Sequence, residues 1–204
     1  MTTTTAGEAQ GALATKFSEF LESAFESVHL TRRQHFAENP SARPTPADVE
    51  SIIRSYGNQN AVIAGAANLV PGPWGALTIV PEMTMVIRNQ IQMIYDVGVA
   101  HGKEAHLDGN TLLAVFSSVL GGGAISLVTV RGGKLLLRRA SLRVMQQVIE
   151  WLGGKIAQRV LKSFLARWVP IVGAGAMALW ARQSTISMGR EAAALLEKPI
   201  GREE

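Results

Sequence analysis

Apolar residues recur at three- and four-residue steps along most of the chain, the spacing of one buried helical face. Between Glu8 and Ala37, Leu13, Phe17, Phe20, Leu21, Ala24 and Val28 mark that face, and Glu19, Glu22 and Glu26 lie on another. Asn39 to Pro46 holds Pro40, Pro44 and Pro46, which cannot continue a helix, so a linker is expected there. Thr45, with Pro46 at the first helical position and Asp48 and Glu50 in the first turn, opens the next helix. That helix is expected to stop near Tyr56–Gly57. Asn58 to Val70 reads as a separate small-residue helix, closed by the turn Pro71-Gly72-Pro73-Trp74-Gly75.

From Leu77 to His101, Ile79, Met83, Val86, Ile87, Ile91 and Ile94 form one face, with Glu82, Asn89, Gln92 and Asp96 on another. Glu82 heads this helix, where unpaired amides favour a carboxylate, and Gly102 ends it. Asp108 caps a further helix expected over Leu112–Val130. Ala114, Ser118, Gly122 and Ser126 recur in it every four residues, a stripe that lets another backbone approach. Gly121-Gly122-Gly123 costs about 1 kcal/mol per glycine relative to alanine, so the triplet is a kink or a break. Val128-Thr129-Val130 and Leu135-Leu136-Leu137 resemble strands but are short beside the helical pattern. Gly132–Gly133 and Gly153–Gly154 are expected to divide the basic region into two helices. The last helix follows Pro170, carries Ala174, Ala178 and Ala181 on one face, and ends before Pro199.

The resulting expectation is all-α: a single bundle of about six to eight helices with glycine-rich, closely packed core helices. It divides into a disordered tail (1–7), an acidic amphipathic helix (8–38), a proline-rich linker (39–46), a helical domain (47–198) and a second tail (199–204). The helices at 61–70, 77–101, 112–130 and 169–196 should build the core.

Composition sharpens one question. Charged residues make up 18% of the 204 positions and hydrophobic ones 47%, against roughly 25% charged in ordinary soluble domains. Two uncharged stretches, Ser55–Pro81 and Gly109–Val130, each approach the ~20 residues of a membrane span. Serine, glycine and threonine dilute the second, so a buried core helix is expected there in preference to a span. No cysteine is present, which excludes disulfides, thiolate metal sites and cysteine nucleophiles and fits a reducing cytoplasm. The first residues lack the basic and apolar regions of a secretory signal. Net charge is +4, but its distribution is uneven: Arg131 to Arg167 holds nine basic residues against Glu150 alone. Such a segment suits an anionic partner.

Three segments carry a family resemblance. Ala64-Gly-Ala-Ala-Asn-Leu-Val-Pro71-Gly72-Pro73-Trp-Gly75 precedes Pro81-Glu82, then Arg88-x-Gln90-x-x-Met93-Ile94 and His101-Gly102. Trp168-Val-Pro170-Ile-Val-Gly173 and Thr185-x-x-x-Gly189-Arg190-x-Ala192 follow later. In this order they resemble the EcsC family, bacterial proteins named after a partner of an ABC transporter system. They are also similar to the helical hydrophobic domain of some GTPase-associated inner-membrane proteins. The resemblance implies a helical, membrane-associated protein at the cytoplasmic face of the bacterial membrane. It implies no activity, and Glu82 stands where the family is expected to carry Asp.

No catalytic constellation accompanies the resemblance. His101-x-x-Glu104-x-His106 contains Gly102 at a helix end and would not fix three metal ligands. Neither Gly121-Gly122-Gly123 nor Pro71-Gly72-Pro73-Trp74-Gly75 has the Lys-Ser/Thr of a phosphate loop, and no Gly-x-Ser-x-Gly elbow occurs. A non-enzyme without cofactor or metal is therefore expected. The candidate contact set is basic: Arg138, Arg139, Arg143, Lys155, Arg159 and Lys162, flanked by Trp151 and Trp168, residues suited to a membrane–water boundary. A solvated face whose long stems cover the core would have the same pattern. Nucleic acid is disfavoured by the lack of a helix–turn–helix or stacking aromatics. Three functions follow: a regulatory or scaffolding protein on an anionic membrane surface, a soluble module docking on a protein or on a second copy through its first helix, and an effector that inserts glycine-rich helices.

Overall fold

The first helix, α1 (Thr2–Glu38), follows the apolar spacing closely. Phe17, Leu21, Ala24, Phe25 and Val28 are all buried, while Glu19, Glu22 and Glu26 face solvent. It starts at Thr2, so the expected tail continues the helix. The computed structural model describes residues 2–67, 74–121, 127–138, 140–167 and 174–202. Among them it forms an all-α bundle of six helices with three short strands.

After Asn39 the linker folds into two 3₁₀ turns, Pro40–Ala42 and Pro46–Asp48. In the second, the Thr45 amide donates to Asp48 Oδ2 at 2.8 Å, half of a capping box. Helix α2 (Val49–Ala67) then runs without interruption. The expected stop at Tyr56–Gly57 does not occur: Gly57 sits where α6 (Ala174–Leu196) crosses, and a β-carbon there would lie 2.9 Å from Ile186. Packing across the two helices outweighs the poor helix propensity of glycine.

Helix α3 (Trp74–Ala100) begins earlier than expected, which places Glu82 in its third turn and not at its head. It ends as the sequence implied. The Gly102 amide donates to the Val99 carbonyl at 2.8 Å and the Lys103 amide to Gly98 at 2.9 Å, a Schellman motif. Asp108 Oδ1 accepts from the Thr111 amide at 2.7 Å and caps α4 (Gly109–Val119). This helix is buried almost throughout but stops at Leu120–Gly121, well short of Val130. Eleven residues span about 16 Å, half the hydrocarbon thickness. Among the described residues no helix is long and apolar enough to cross a membrane.

The two strand-like runs do form strands. β1 (Val128–Arg131) pairs antiparallel with β2 (Lys134–Leu137), Val128 opposite Leu137. Gly132 and Gly133 have φ of 58° and 74°, the two left-handed positions of a two-residue hairpin turn. Residues 200–202, expected as part of a tail, form β3 (Ile200–Arg202) and lie parallel to β2. The sheet order is β1-β2-β3.

The second glycine pair behaves differently: α5 (Leu142–Arg167) passes straight through Gly153–Gly154. A β-carbon at Gly153 would lie 2.7 Å from the Ala14 carbonyl and against Ser18, so α1 presses directly on this turn. Gly153→Ala should therefore push α1 and α5 apart and destabilise by about 1–3 kcal/mol, read by denaturant unfolding. Gly154, with no neighbour within 4 Å, should tolerate alanine or gain from it.

One apolar core joins all six helices. Phe17, Leu21 and Phe25 of α1 meet Ile91 and Ile94 of α3, Phe116 of α4, and Leu152 and Ile156 of α5 in one cluster. Phe25 and Phe116 meet edge to face with centroids 5.5 Å apart. The expected core of four later helices was thus incomplete: α1 and α5 belong to it.

Candidate functional site

The basic candidates occupy α5 and the connection before it. Arg138 follows β2, exposed, its amide donating to the Leu127 carbonyl at 2.9 Å. Arg143 is exposed in the first turn of α5. Trp151, Lys155 and Arg159 lie at four-residue steps along one side of the helix. Lys155 Nζ sits 5.2 Å from the centre of the Trp151 ring, a cation–π contact. Arg159 is exposed, while Ile156 and Val160 beside it are buried, so the cations border an apolar stripe of α5. Arg143 and Arg159 are separated by roughly 24 Å along the helix axis, so the set is a stripe and not one patch. Lys162 belongs to α5; Arg139 and Trp168 lie outside the described residues, as do Pro71, Gly72, Pro73, Pro170 and Gly173.

Arg159 also lines a cleft of about 50 Å³, room for a few waters, walled by α2 to α6. Its lining is mostly apolar (Met83, Val86, Val160 and Met177 among others), with Trp180 of α6 beside it. Glu82 is in the wall and only 5% exposed. Gln90, also lining the cleft, donates to Thr185 Oγ1 at 3.4 Å. Asn60 donates to the same hydroxyl at 3.0 Å and accepts from Asn89 at 2.9 Å. These amides and Thr185 tie α2, α3 and α6 through buried polar atoms that satisfy one another. Gly189 packs close by, against Ile53 and Met93. Gly75 falls in the first turn of α3.

The strongest electrostatic feature was not read from the sequence. Arg32 of α1 holds Asp96 of α3 with two hydrogen bonds of 2.8 Å, and the Tyr56 hydroxyl of α2 donates to the same carboxylate at 2.9 Å. The Arg32 guanidinium stacks 4.7 Å from the Phe36 ring centre. Burial pushes the Asp96 carboxyl above the usual carboxylate range, against the pull of Arg32 and Tyr56. Burial likewise raises the Tyr56 phenol. Arg88 is exposed, and the Asp96 carboxylate is occupied by Arg32 and Tyr56. Asp96 was assigned to the polar face by its spacing. A hint was available: α3 has only Glu82, Arg88 and Asp96 charged in 27 residues, the composition of a central helix whose carboxylates need partners.

The histidine segment offers little coordination chemistry. Glu104 is held by Arg43 through contacts of 2.6 and 3.2 Å, and burial lowers the basicity of His101. Among the described residues no group of three His, Asp or Glu is arranged to hold a metal ion. A wider groove of about 500 Å³ beside Glu104 is lined by both signs of charge, Arg33, Arg43, Glu104 and Asp108. Compared with protein-family models, characterised proteins and solved structures, the chain matches none of them.

Proposed function

We propose that this protein is a non-enzymatic, membrane-associated helical protein that acts on an anionic bilayer surface as a regulator or scaffold of a bacterial membrane system. The resemblance to the EcsC family points the same way. The observation that carries the reading is the α5 stripe of Trp151, Lys155 and Arg159. It lies in a run from Glu150 to Glu191 that contains Lys155, Arg159, Lys162, Arg167, Arg182 and Arg190 and no acidic residue between its ends. A tryptophan whose ring carries a lysine over its face suits the headgroup level, and basic side chains along the same helix face favour acidic lipid.

Each Lys or Arg near such a surface contributes about 1 kcal/mol within a Debye length. Reversing Lys155, Arg159 and Lys162 together to glutamate should weaken sedimentation with vesicles of phosphatidylcholine and phosphatidylglycerol by at least about tenfold. Wild-type binding should weaken with salt, and the melting temperature of the variant should stay near wild type. Equal binding of wild type and variant to acidic and neutral vesicles would make the stripe a solvated face and refute the reading.

A further inference from the structure

The helix register places several apolar side chains at one pole of the bundle. Gly65 of α2 faces Ala178 of α6, its β-carbon position 3.6 Å away, so these antiparallel helices stay paired almost to their ends near residues 67 and 174. Ala64, Glu82, Ile156, Val160 and Met177 meet around the cleft. The end of α2, the start of α3, the end of α5 and the start of α6 therefore point the same way.

At this pole the usual distribution of exposed residues is inverted. Val62 is 72% exposed, Leu179 57% and Trp180 48%, and Met85 is half exposed one helix away. Arg88 and Arg159 are exposed on the neighbouring helices, and Arg182 is held by Asn58. Between Glu50 and Asp96 the sole acidic residue is Glu82, which is buried, and none occurs between Glu150 and Glu191. On α1, Glu8 is the one acidic residue on this side of the Ala14–Gly153 crossing.

We propose that this pole enters the headgroup layer of an anionic bilayer, with Val62, Leu179 and Trp180 inserted and Arg159 and Arg88 on lipid phosphates. The inference rests on the membrane reading above and adds the part of the molecule that penetrates. Charge selects the bilayer over a second copy, because a twofold contact through this pole would set the same arginines against one another. Tryptophan beside aliphatic side chains, collared by arginine, matches the layering of an interface. Insertion is shallow, since no described helix is long and apolar enough to cross.

The test compares wild type, Val62→Glu with Leu179→Glu, and Trp180→Phe on vesicles of phosphatidylcholine and phosphatidylglycerol containing brominated acyl chains. Both glutamates replace exposed side chains, so the melting temperature should hold. The expected result is vesicle binding at least tenfold weaker for the double variant, and loss of much of the bromine quenching in Trp180→Phe despite the remaining tryptophans. If the double variant binds as wild type while the α5 charge reversal abolishes binding, the surface reading stands and the pole does not insert. Should the double variant unfold, unchanged quenching in Trp180→Phe overturns the proposal, and reduced quenching supports it. A shift from dimer to monomer with unchanged vesicle binding would make the pole an interface between copies and overturn it also. If wild type binds no vesicle, both readings fall.

Discussion

A chain lacking residues 1–38 should show no cooperative thermal transition and no near-ultraviolet circular dichroism, whatever helical signal it keeps. The sequence alone suggests an arm ahead of a self-sufficient domain, joined by a proline-rich linker. The structure makes α1 a wall of the core instead: Phe17, Leu21 and Val28 are fully buried, and Phe25 and Phe36 nearly so. Burying a large apolar side chain contributes about 1.5–3 kcal/mol, so losing five is comparable to the whole of the 5–15 kcal/mol that holds a typical domain together. The deletion would also strip Asp96 of Arg32. A sharp melt of the shortened chain would show that the later helices close a core by themselves. The point substitution Phe17→Ala offers a milder check, with an expected cost of about 3–5 kcal/mol.

Asp96→Ala should cost about 3–5 kcal/mol in denaturant unfolding. It leaves the guanidinium of Arg32, most of it out of solvent, without its carboxylate, and the Tyr56 hydroxyl without an acceptor. Asp96→Asn should cost less, because the amide oxygen still accepts from one of the two donors. The pH dependence separates pair geometry from charge. Burial raises the folded-state pKa of Asp96 above its ordinary value of 3.8. For such a group the cost of ionisation appears as pH rises through the unfolded value toward the folded one. Acidification therefore removes no stability through this residue, and the penalty of the alanine variant should be largest in acid and shrink as pH rises through the unfolded value toward the folded one. A penalty that instead shrank on acidification would contradict this assignment. Glu50 provides the opposite sign: Arg190 and Arg54 hold it near 2, so its exposed, salt-screened contribution is lost as pH falls.

Amphipathic spacing made the helices legible, and local chemistry made their ends legible where it was unambiguous. The Thr45–Asp48 box, the Asp108 cap and the Gly102 stop each depend on a few adjacent residues. The two glycine pairs mark where that legibility ends. Gly132–Gly133 and Gly153–Gly154 look alike in sequence, yet one turns a hairpin and the other lies inside α5. What separates them is remote: Leu135 pairs with Val130 and Ile200 on one side, and Ala14 and Ser18 press on Gly153 on the other. The Arg32–Asp96 pair was hidden for the same reason, its partners standing on two helices whose register the sequence does not state. The basic stripe of α5 was legible because it needs only one helix. The apolar pole was not, because it depends on the ends of α2 and α6 lying side by side.

The crossing of α1 with α5 also has a consequence in time. Ala14 and Ser18 leave the ribosome ~135 residues ahead of Gly153, which they pack against. At about 5–20 residues per second, the phenylalanines of α1 wait roughly 7–27 s for that surface to be synthesised. Local hairpins and helices close within microseconds of emerging, so this delay, and not any local step, sets the interval in which the nascent chain shows its greasiest face. A holdase that recognises exposed aromatics would find its binding site in residues 17–36, and a slow translation site placed between 38 and 142 would lengthen its stay.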